Sequence, residues 1–112
     1  MLNQVVLVGR IVSDLKIETN EQGGEIANIT IAVSRAYKND EGVYETDFIP
    51  CTIKSGISKN AIEYCKKGDV VGVRGSIQTR ISQIDEDTKR QFVEVIAEKV
   101  SFLSSRKDES ED

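Results

Sequence analysis

The sequence has 112 residues and a formal net charge of −4; 38% of its residues are hydrophobic and 30% are charged. This length suits one domain, and this composition is typical of a folded globular chain rather than a disordered one. Two cysteines, Cys51 and Cys65, are too few for a disulfide framework, so we expect both to be reduced and buried. Because the sequence has no histidine, neither a zinc site nor another metal or cofactor is expected.

The start of the chain and the charge balance set expectations about location and partners. Met1–Gln4 lacks a basic region before a long apolar stretch, so we predict no signal peptide and expect a cytoplasmic protein without a membrane span. The acidic excess disfavours nucleic acid, because DNA-binding domains usually carry a basic excess. Without the polar tail from Ser104 onward, 15 acidic side chains stand against 13 basic ones. Binding of nucleic acid would therefore require a local basic face.

The predicted first strand, Val5–Val12, is apolar at nearly every position. A strand with one buried face would alternate, so we expect this one to be covered on both faces, with another subunit as the second cover. A turn at Glu21–Gly24 separates it from a second strand, Ile26–Val33, whose odd-numbered residues share one face. A polar loop at Lys38–Gly42 is predicted next.

The third predicted strand, Tyr44–Lys54, has two distinct faces. An apolar set that includes Ile49 and Ile53 alternates with an outward set that begins at Phe48. Pro50 cannot donate a backbone hydrogen bond, so its position indicates a sheet edge or a bulge.

The second half of the chain predicts one helix and two more strands. Helical spacing indicates a short helix over Ile57–Cys65, followed by a fourth strand at Asp69–Arg80. A charged hairpin loop, Ile81–Arg90, leads to a fifth strand at Gln91–Leu103. The fold class is therefore all-β: a five-stranded OB-fold barrel with one short helix between the third and fourth strands. We expect residues 1–103 to form this domain and residues 104–112 to form a disordered acidic tail.

The outward faces of these strands combine aromatic rings with cations. Bases stack on exposed rings and cations neutralise phosphates, so such a face suits single-stranded nucleic acid. One exposed ring is common, however, and Phe48 could instead pack against a subunit or a loop. The residues concerned are Tyr37 and Phe48 with Arg35, Lys38, Lys54, Arg74 and Arg80.

Several segments resemble, in order and spacing, the bacterial single-stranded DNA-binding protein family. They are Met1–Arg10, Ala27–Val33, Glu45–Ile49, Tyr64–Asp69 and Val73–Arg80. The resemblance implies an OB-fold that assembles as a homotetramer of paired dimers, with the first strand at a subunit interface, and wraps single-stranded DNA with little sequence preference. It also implies roles in replication, recombination and repair, with proteins of those processes as partners.

The resemblance also bears on individual residues. The family stacks bases at about four aromatic positions, of which Tyr37 and Phe48 occupy two. The other two fall at Lys54 and Ser82, which implies a reduced stacking platform. We therefore predict weaker binding with a larger electrostatic share and a strong dependence on salt. Arg10, in the opening segment, completes the predicted DNA-binding set.

Two other classes of function, a protein-docking module and an enzyme, have to be weighed against DNA binding. An OB-fold accessory module of the primosome type, which mainly binds proteins and binds DNA weakly, fits the depleted aromatics. The family's acidic tail ends in Pro-Phe, whereas Asp108–Asp112 has no terminal Phe, so the chain is either truncated or a short variant without that docking tip. An enzyme would need a positioned acid, base, nucleophile or metal, and no such motif is recognisable, so no catalysis is expected.

Overall fold

A computed structural model of the chain describes residues 1–19, 23–54 and 64–105. Residues 57–63 of the predicted helix and residues 106–112 of the predicted tail lie outside this description. The strands in chain order are β1 (Val5–Ile11), β2 (Lys16–Thr19), β3 (Glu25–Lys38), β4 (Tyr44–Ile53), β5 (Val70–Gln83) and β6 (Lys89–Ser104).

Five of these strands close into a barrel, which confirms the predicted OB-fold. β1 pairs antiparallel with β5 along Val5–Arg10 and then with β3 at its end. β3 pairs with β4, and β5 pairs with β6, in long antiparallel ladders. A short parallel ladder joins Cys51–Ile53 of β4 to Val95–Ala97 of β6 and completes the ring. Pro50 stands just before that ladder begins, so it occupies an edge position of the predicted kind.

Two glycines permit the close strand contacts that a small barrel needs. At Gly9, where β1 leaves β5 for β3, a Cβ atom would lie 2.5 Å from the carbonyl oxygen of Ala32. At Gly75, beside a register shift in the β5–β6 ladder, a Cβ atom would overlap the carbonyl of Ile96. A larger residue at either position would force the strands apart, because the obstacle is backbone.

The core forms from the inward-facing residues of the barrel strands, and the predicted alternation of β3 and β4 is confirmed. Cys51 and Cys65 are buried and free, as expected. Burial raises the pKa of the Cys51 thiol to about 11 and also raises that of Cys65. The largest fully buried side chains are Ile11, Ile31, Ile53, Val71, Val73 and Cys51.

The strands and loops differ from the sequence prediction at three places. β2 was not predicted, because its four residues are all exposed and show no alternation. The loop expected at Ile81–Arg90 is shorter, since the β5–β6 ladder continues to the pair Gln83 and Lys89. The loop expected from Lys38 begins later, because Lys38 still pairs with Tyr44.

The described part of the chain covers only one face of β1. Val5 and Leu7 pack against the core, whereas Val6 and Val8 are 68% and 57% exposed. The second cover expected from the apolar sequence is therefore not supplied by the described part of this chain.

Candidate nucleic-acid interface

The two rings singled out from the sequence lie on the β3–β4 hairpin and face solvent. Phe48 is 64% exposed and Tyr37 is 69% exposed. The predicted outward orientation of Phe48 is confirmed, since its neighbours Asp47 and Ile49 are half-buried on the other side of the strand. Its partner across the ladder is Ala32, whose small side chain leaves the ring open to solvent.

A third exposed ring on this hairpin was missed. Tyr44 is 54% exposed, and the ammonium group of Lys38 lies 5.6 Å from the centre of its ring. Tyr44 stands four residues before Phe48 on one strand, and this even spacing was the signal that could have placed both rings on one face. We call the exposed rings Tyr44 and Phe48, with the polar hollow described next, the ring surface. Tyr37 precedes Lys38 in the strand and interacts electrostatically with Arg35, so it lies on the Arg35 side of the hairpin.

An open hollow of about 600 Å³ continues the ring surface along the outer side of β3 and β4. Thr52 bridges its floor: the Thr52 hydroxyl lies 3.2 Å from the Asn28 side-chain oxygen and 3.1 Å from a Glu94 carboxylate oxygen. The hollow is lined by Ser13, Asp14, Glu18, Ile26, Asn28, Ile29, Thr30, Pro50, Cys51, Thr52, Arg80 and Glu94. Its walls carry several carboxylates and the cation of Arg80, so its floor suits neutral polar groups better than phosphates.

Arg80 has an aromatic neighbour that the sequence reasoning also missed. Arg80 and Phe92 are directly opposite each other in the β5–β6 ladder. The guanidinium carbon of Arg80 lies 5.5 Å from the centre of the Phe92 ring, which is 37% exposed. Only the pairing of two separate strands brings these side chains together, so spacing within one strand could not reveal the contact.

Arg35 does not join the rings on their face. Its guanidinium makes two hydrogen bonds to the carboxylate of Asp47, at 2.9 and 3.0 Å, and one of 2.6 Å to Glu45. The Asp47 hydrogen bond raises the pKa of Arg35 and lowers that of Asp47. Because Glu45 and Asp47 alternate with Tyr44 and Phe48, these ion pairs occupy the opposite side of the hairpin.

The remaining predicted cations are spread over the molecule. Arg10 donates a hydrogen bond of 2.6 Å to the carbonyl of Gly68, at the end of the barrel where β1 meets β3. Arg74 pairs with Val6 in the β1–β5 ladder. Lys54 is exposed just after β4. Among the predicted DNA-binding cations, Lys38 and Arg80 are thus the ones described above as contacting exposed rings.

A separate exposed surface lies on β1 and its neighbours. Val8 faces Gly72 across the β1–β5 ladder, and the Leu103 side chain covers the position where a Gly72 Cβ would be. Val6, Val8 and Leu103, each at least half exposed, form what we call the aliphatic surface. Along Val5–Val8, β1 pairs on one side only among the described strands, so its other backbone edge carries no ladder.

Within residues 1–19, 23–54 and 64–105, no helix is long and apolar enough to cross a membrane. In the same part of the chain, no three side chains of His, Cys, Asp or Glu come together as metal ligands.

Sequence comparisons give a consistent result. The profile of the Single-strand binding protein family matches residues 2–103. Single-stranded DNA-binding protein B of Bacillus subtilis is 39% identical over 95% of this chain and 94% of its own length. Single-stranded DNA-binding protein 2 of Listeria innocua is 45% identical, over 95% of this chain and 67% of its own length. The Single-stranded DNA-binding protein of Halalkalibacterium halodurans is 44% identical, over 99% and 66%. The chain thus spans nearly all of the first relative and about two thirds of the other two.

A solved structure has the same fold. It is described as the Plasmodium falciparum SSB complex with ssDNA, and it superposes with a TM-score of 0.79 over 93% of this chain and 96% of its own. At 24% sequence identity, this likeness supports the barrel architecture rather than any residue's role.

Proposed function

Because the chain belongs to the Single-strand binding protein family, we propose that it binds single-stranded DNA on the ring surface with little sequence preference. Base stacking on Phe48 and Tyr44 supplies most of the contact, and Tyr37 adds a further ring on the other side of the hairpin. Stacking tolerates any sequence, since every base has a π-face. Lys38, Lys54 and Arg80 contribute the phosphate contacts.

The observation that carries this proposal is the position of Phe48. This ring is 64% exposed beside the small side chain of Ala32, and a second ring, that of Tyr44, is exposed on the same face. It borders a hollow on the outer face of the second and third barrel strands. That face is the usual oligonucleotide-binding side of OB-folds, and the names of the relatives agree with this use.

We also propose that the protein is a homo-oligomer, a tetramer of paired dimers, joined through the aliphatic surface. Val6 and Val8 expose aliphatic groups beside a strand edge with which no described strand pairs. Such an edge can pair with its own copy across a two-fold axis, which buries both the backbone groups and the apolar side chains.

The wider biological role follows from the same proposal. The protein protects single-stranded DNA during replication, recombination and repair in the cytoplasm, together with proteins of those processes. It acts by binding and without catalysis. Residues 1–103 form the binding domain, and residues 104–112 form an acidic tail.

Titration of a labelled dT oligomer of about 35 nucleotides, a few footprints of one OB-fold, tests the proposal by fluorescence anisotropy. We expect saturable binding with a defined site size, and much weaker binding of a duplex of equal length, because duplex bases are not free to stack on rings. Equal affinity for the duplex, or weak binding to the single strand without a defined site size, would contradict it. The latter is the behaviour of a protein-docking module.

A further inference from the structure

Resting on the proposed function, we propose that Phe92 is an additional base-stacking position and that Arg80 beside it binds the phosphate of the same nucleotide. The ring surface then extends from the β3–β4 hairpin, across the hollow, to the β5–β6 hairpin.

The first step is the direction in which Phe92 points. Glu94, two residues later on β6, has its carboxylate 3.1 Å from the Thr52 hydroxyl. Thr52 lies on the outer side of β4, an even number of residues after Phe48. Phe92 and Phe48 therefore face the same side of the barrel, on strands joined by the β4–β6 ladder.

The second step is continuity between the two rings. Pro50 and Thr52, next to Phe48, line the same hollow as Arg80 and Glu94. The hollow thus extends from the strand of Phe48 to Arg80, the partner of Phe92, and a bound strand can follow it. Because Glu94 repels phosphates from the floor, the backbone of such a strand runs along the outside while its bases turn inward.

The third step is the exchange of partners at the ring. In the free protein the Arg80 guanidinium lies 5.5 Å from the Phe92 ring centre. A cation–π contact at an exposed site is weaker than the stacking of a base on a ring. A base can therefore replace Arg80 over the ring, and the released guanidinium gains a charge-assisted hydrogen bond to phosphate. The pair provides both contacts for one nucleotide.

The chain lacks tryptophan, so a single introduced tryptophan reports on its own site. We would compare Phe92→Trp with Phe48→Trp as the positive control and with Phe102→Trp as the negative control. Phe102 is 46% exposed on the same strand as Phe92, but it lies near the other end of β6, opposite Val71. Each variant is titrated with oligo-dT while its tryptophan fluorescence is followed.

We expect fluorescence to be quenched in Phe92→Trp and Phe48→Trp at the same dT concentration, and to stay unchanged in Phe102→Trp. Quenching in Phe48→Trp alone would overturn the role of Phe92 and leave the proposed function standing. A lack of both quenching and binding in every variant would overturn the proposed function itself.

A second pair of variants covers the case in which tryptophan disturbs the strand. Phe92→Leu keeps apolar bulk but removes the π-face, so dT affinity should fall about fivefold or more. Phe102→Leu should change affinity by less than about twofold. Equal affinities of Phe92→Leu and the parent protein would contradict the proposal.

Discussion

The ring surface and the aliphatic surface both expose apolar groups, yet they differ in the shape and surroundings of those groups. Val6 and Val8 on the aliphatic surface have stiff, branched side chains. They lie beside an edge of β1 with which no described strand pairs. Phe48 on the ring surface also lies where its strand is paired on one side only, because the β4–β6 ladder begins at Cys51, but its surroundings are polar. The aliphatic surface therefore presents branched side chains that lack apolar contacts, whereas the ring surface presents flat rings beside a polar hollow.

This difference indicates two kinds of occupant. An unpaired edge with aliphatic groups is best covered permanently by protein, because only another strand supplies both hydrogen bonds and apolar contacts. Isolated rings above a polar floor remain stable in water and can take and release bases. Breaking each surface separately should therefore produce different losses.

The largest effect is expected from Val6→Glu. It places a carboxylate in the proposed subunit interface, where the cost of burying the charge exceeds what Arg74, opposite Val6 in the β1–β5 ladder, can return. The mass measured by light scattering should fall from that of the oligomer toward one protomer. Val43→Glu is the matched control, because Val43 is 54% exposed in the β3–β4 turn, and it should keep the parental mass. An unchanged mass for Val6→Glu would remove the aliphatic surface as the interface.

Salt dependence measures the electrostatic share of the ring surface. If Lys38, Lys54 and Arg80 each contact a phosphate, the affinity for dT should fall about 20-fold between 50 and 200 mM salt. This corresponds to a decrease of about 0.7 per contact in the slope of log affinity against log salt concentration. Lys54→Gln should reduce the slope by about 0.7. A flat salt profile in the parent protein would instead indicate binding by stacking alone.

A smaller gain is expected from Asp47→Asn, which removes the ion pair of Arg35 with Asp47 and leaves the one with Glu45. The partly released cation should strengthen dT binding by about twofold at low salt and steepen the salt slope by less than about 0.7. Asp40→Asn, at the tip of the same hairpin, controls for the loss of one negative charge. Equal gains in both variants would assign the effect to net charge rather than to Arg35.

The pH dependence of this pair has a definite sign. Because Arg35 lowers the pKa of Asp47, the ion pair is intact above the ordinary carboxyl value of 3.8 and is lost as pH falls through the lowered pKa. The gain in dT affinity that is expected for Asp47→Asn at neutral pH should therefore appear in the parent protein only in strong acid. A gain in dT affinity already near pH 5 would contradict the pairing.

The smallest expected effect is on the alkylation rate of Cys51, which distinguishes loss of subunit assembly from loss of the fold. Burial raises the pKa of Cys51 to about 11, so only about one thiol in ten thousand is ionised at pH 7. Alkylation of Cys51, followed by peptide mass spectrometry, should be equally slow in Val6→Glu and in the parent protein. Rapid labelling of the variant would show that the barrel had opened, and its lower mass would then say nothing about the interface.

Alternation within single strands predicted the barrel and the outward position of Phe48, because those signals are local. The strand order and the apolar faces of β3 and β4 are both readable from period-two patterns. Polar ladders were missed for the same reason. Ser82 with Arg90, and Gln83 with Lys89, pair in the β5–β6 hairpin although their sequence is typical of a loop.

The parts of the site that stayed hidden depend on contacts between neighbouring strands rather than on the pattern within one strand. Phe92 acquires its position from the pairing with Arg80, twelve residues earlier. The guanidinium of Arg35 forms an ion pair with Asp47 across the β3–β4 ladder, so its charge is not free. In both cases the residue type was visible, but its partner was set by register, which a one-strand pattern does not contain.

The most direct test of the ring surface is the dT affinity of Phe48→Ala compared with Tyr64→Ala. Tyr64 is 65% exposed and lies beside Lys66 and Phe102, away from the ring surface, so it controls for loss of an exposed ring. We predict that Phe48→Ala weakens binding by about 5- to 100-fold while Tyr64→Ala changes it by less than about twofold. Equal affinities for the two variants would contradict the assignment of DNA binding to this surface.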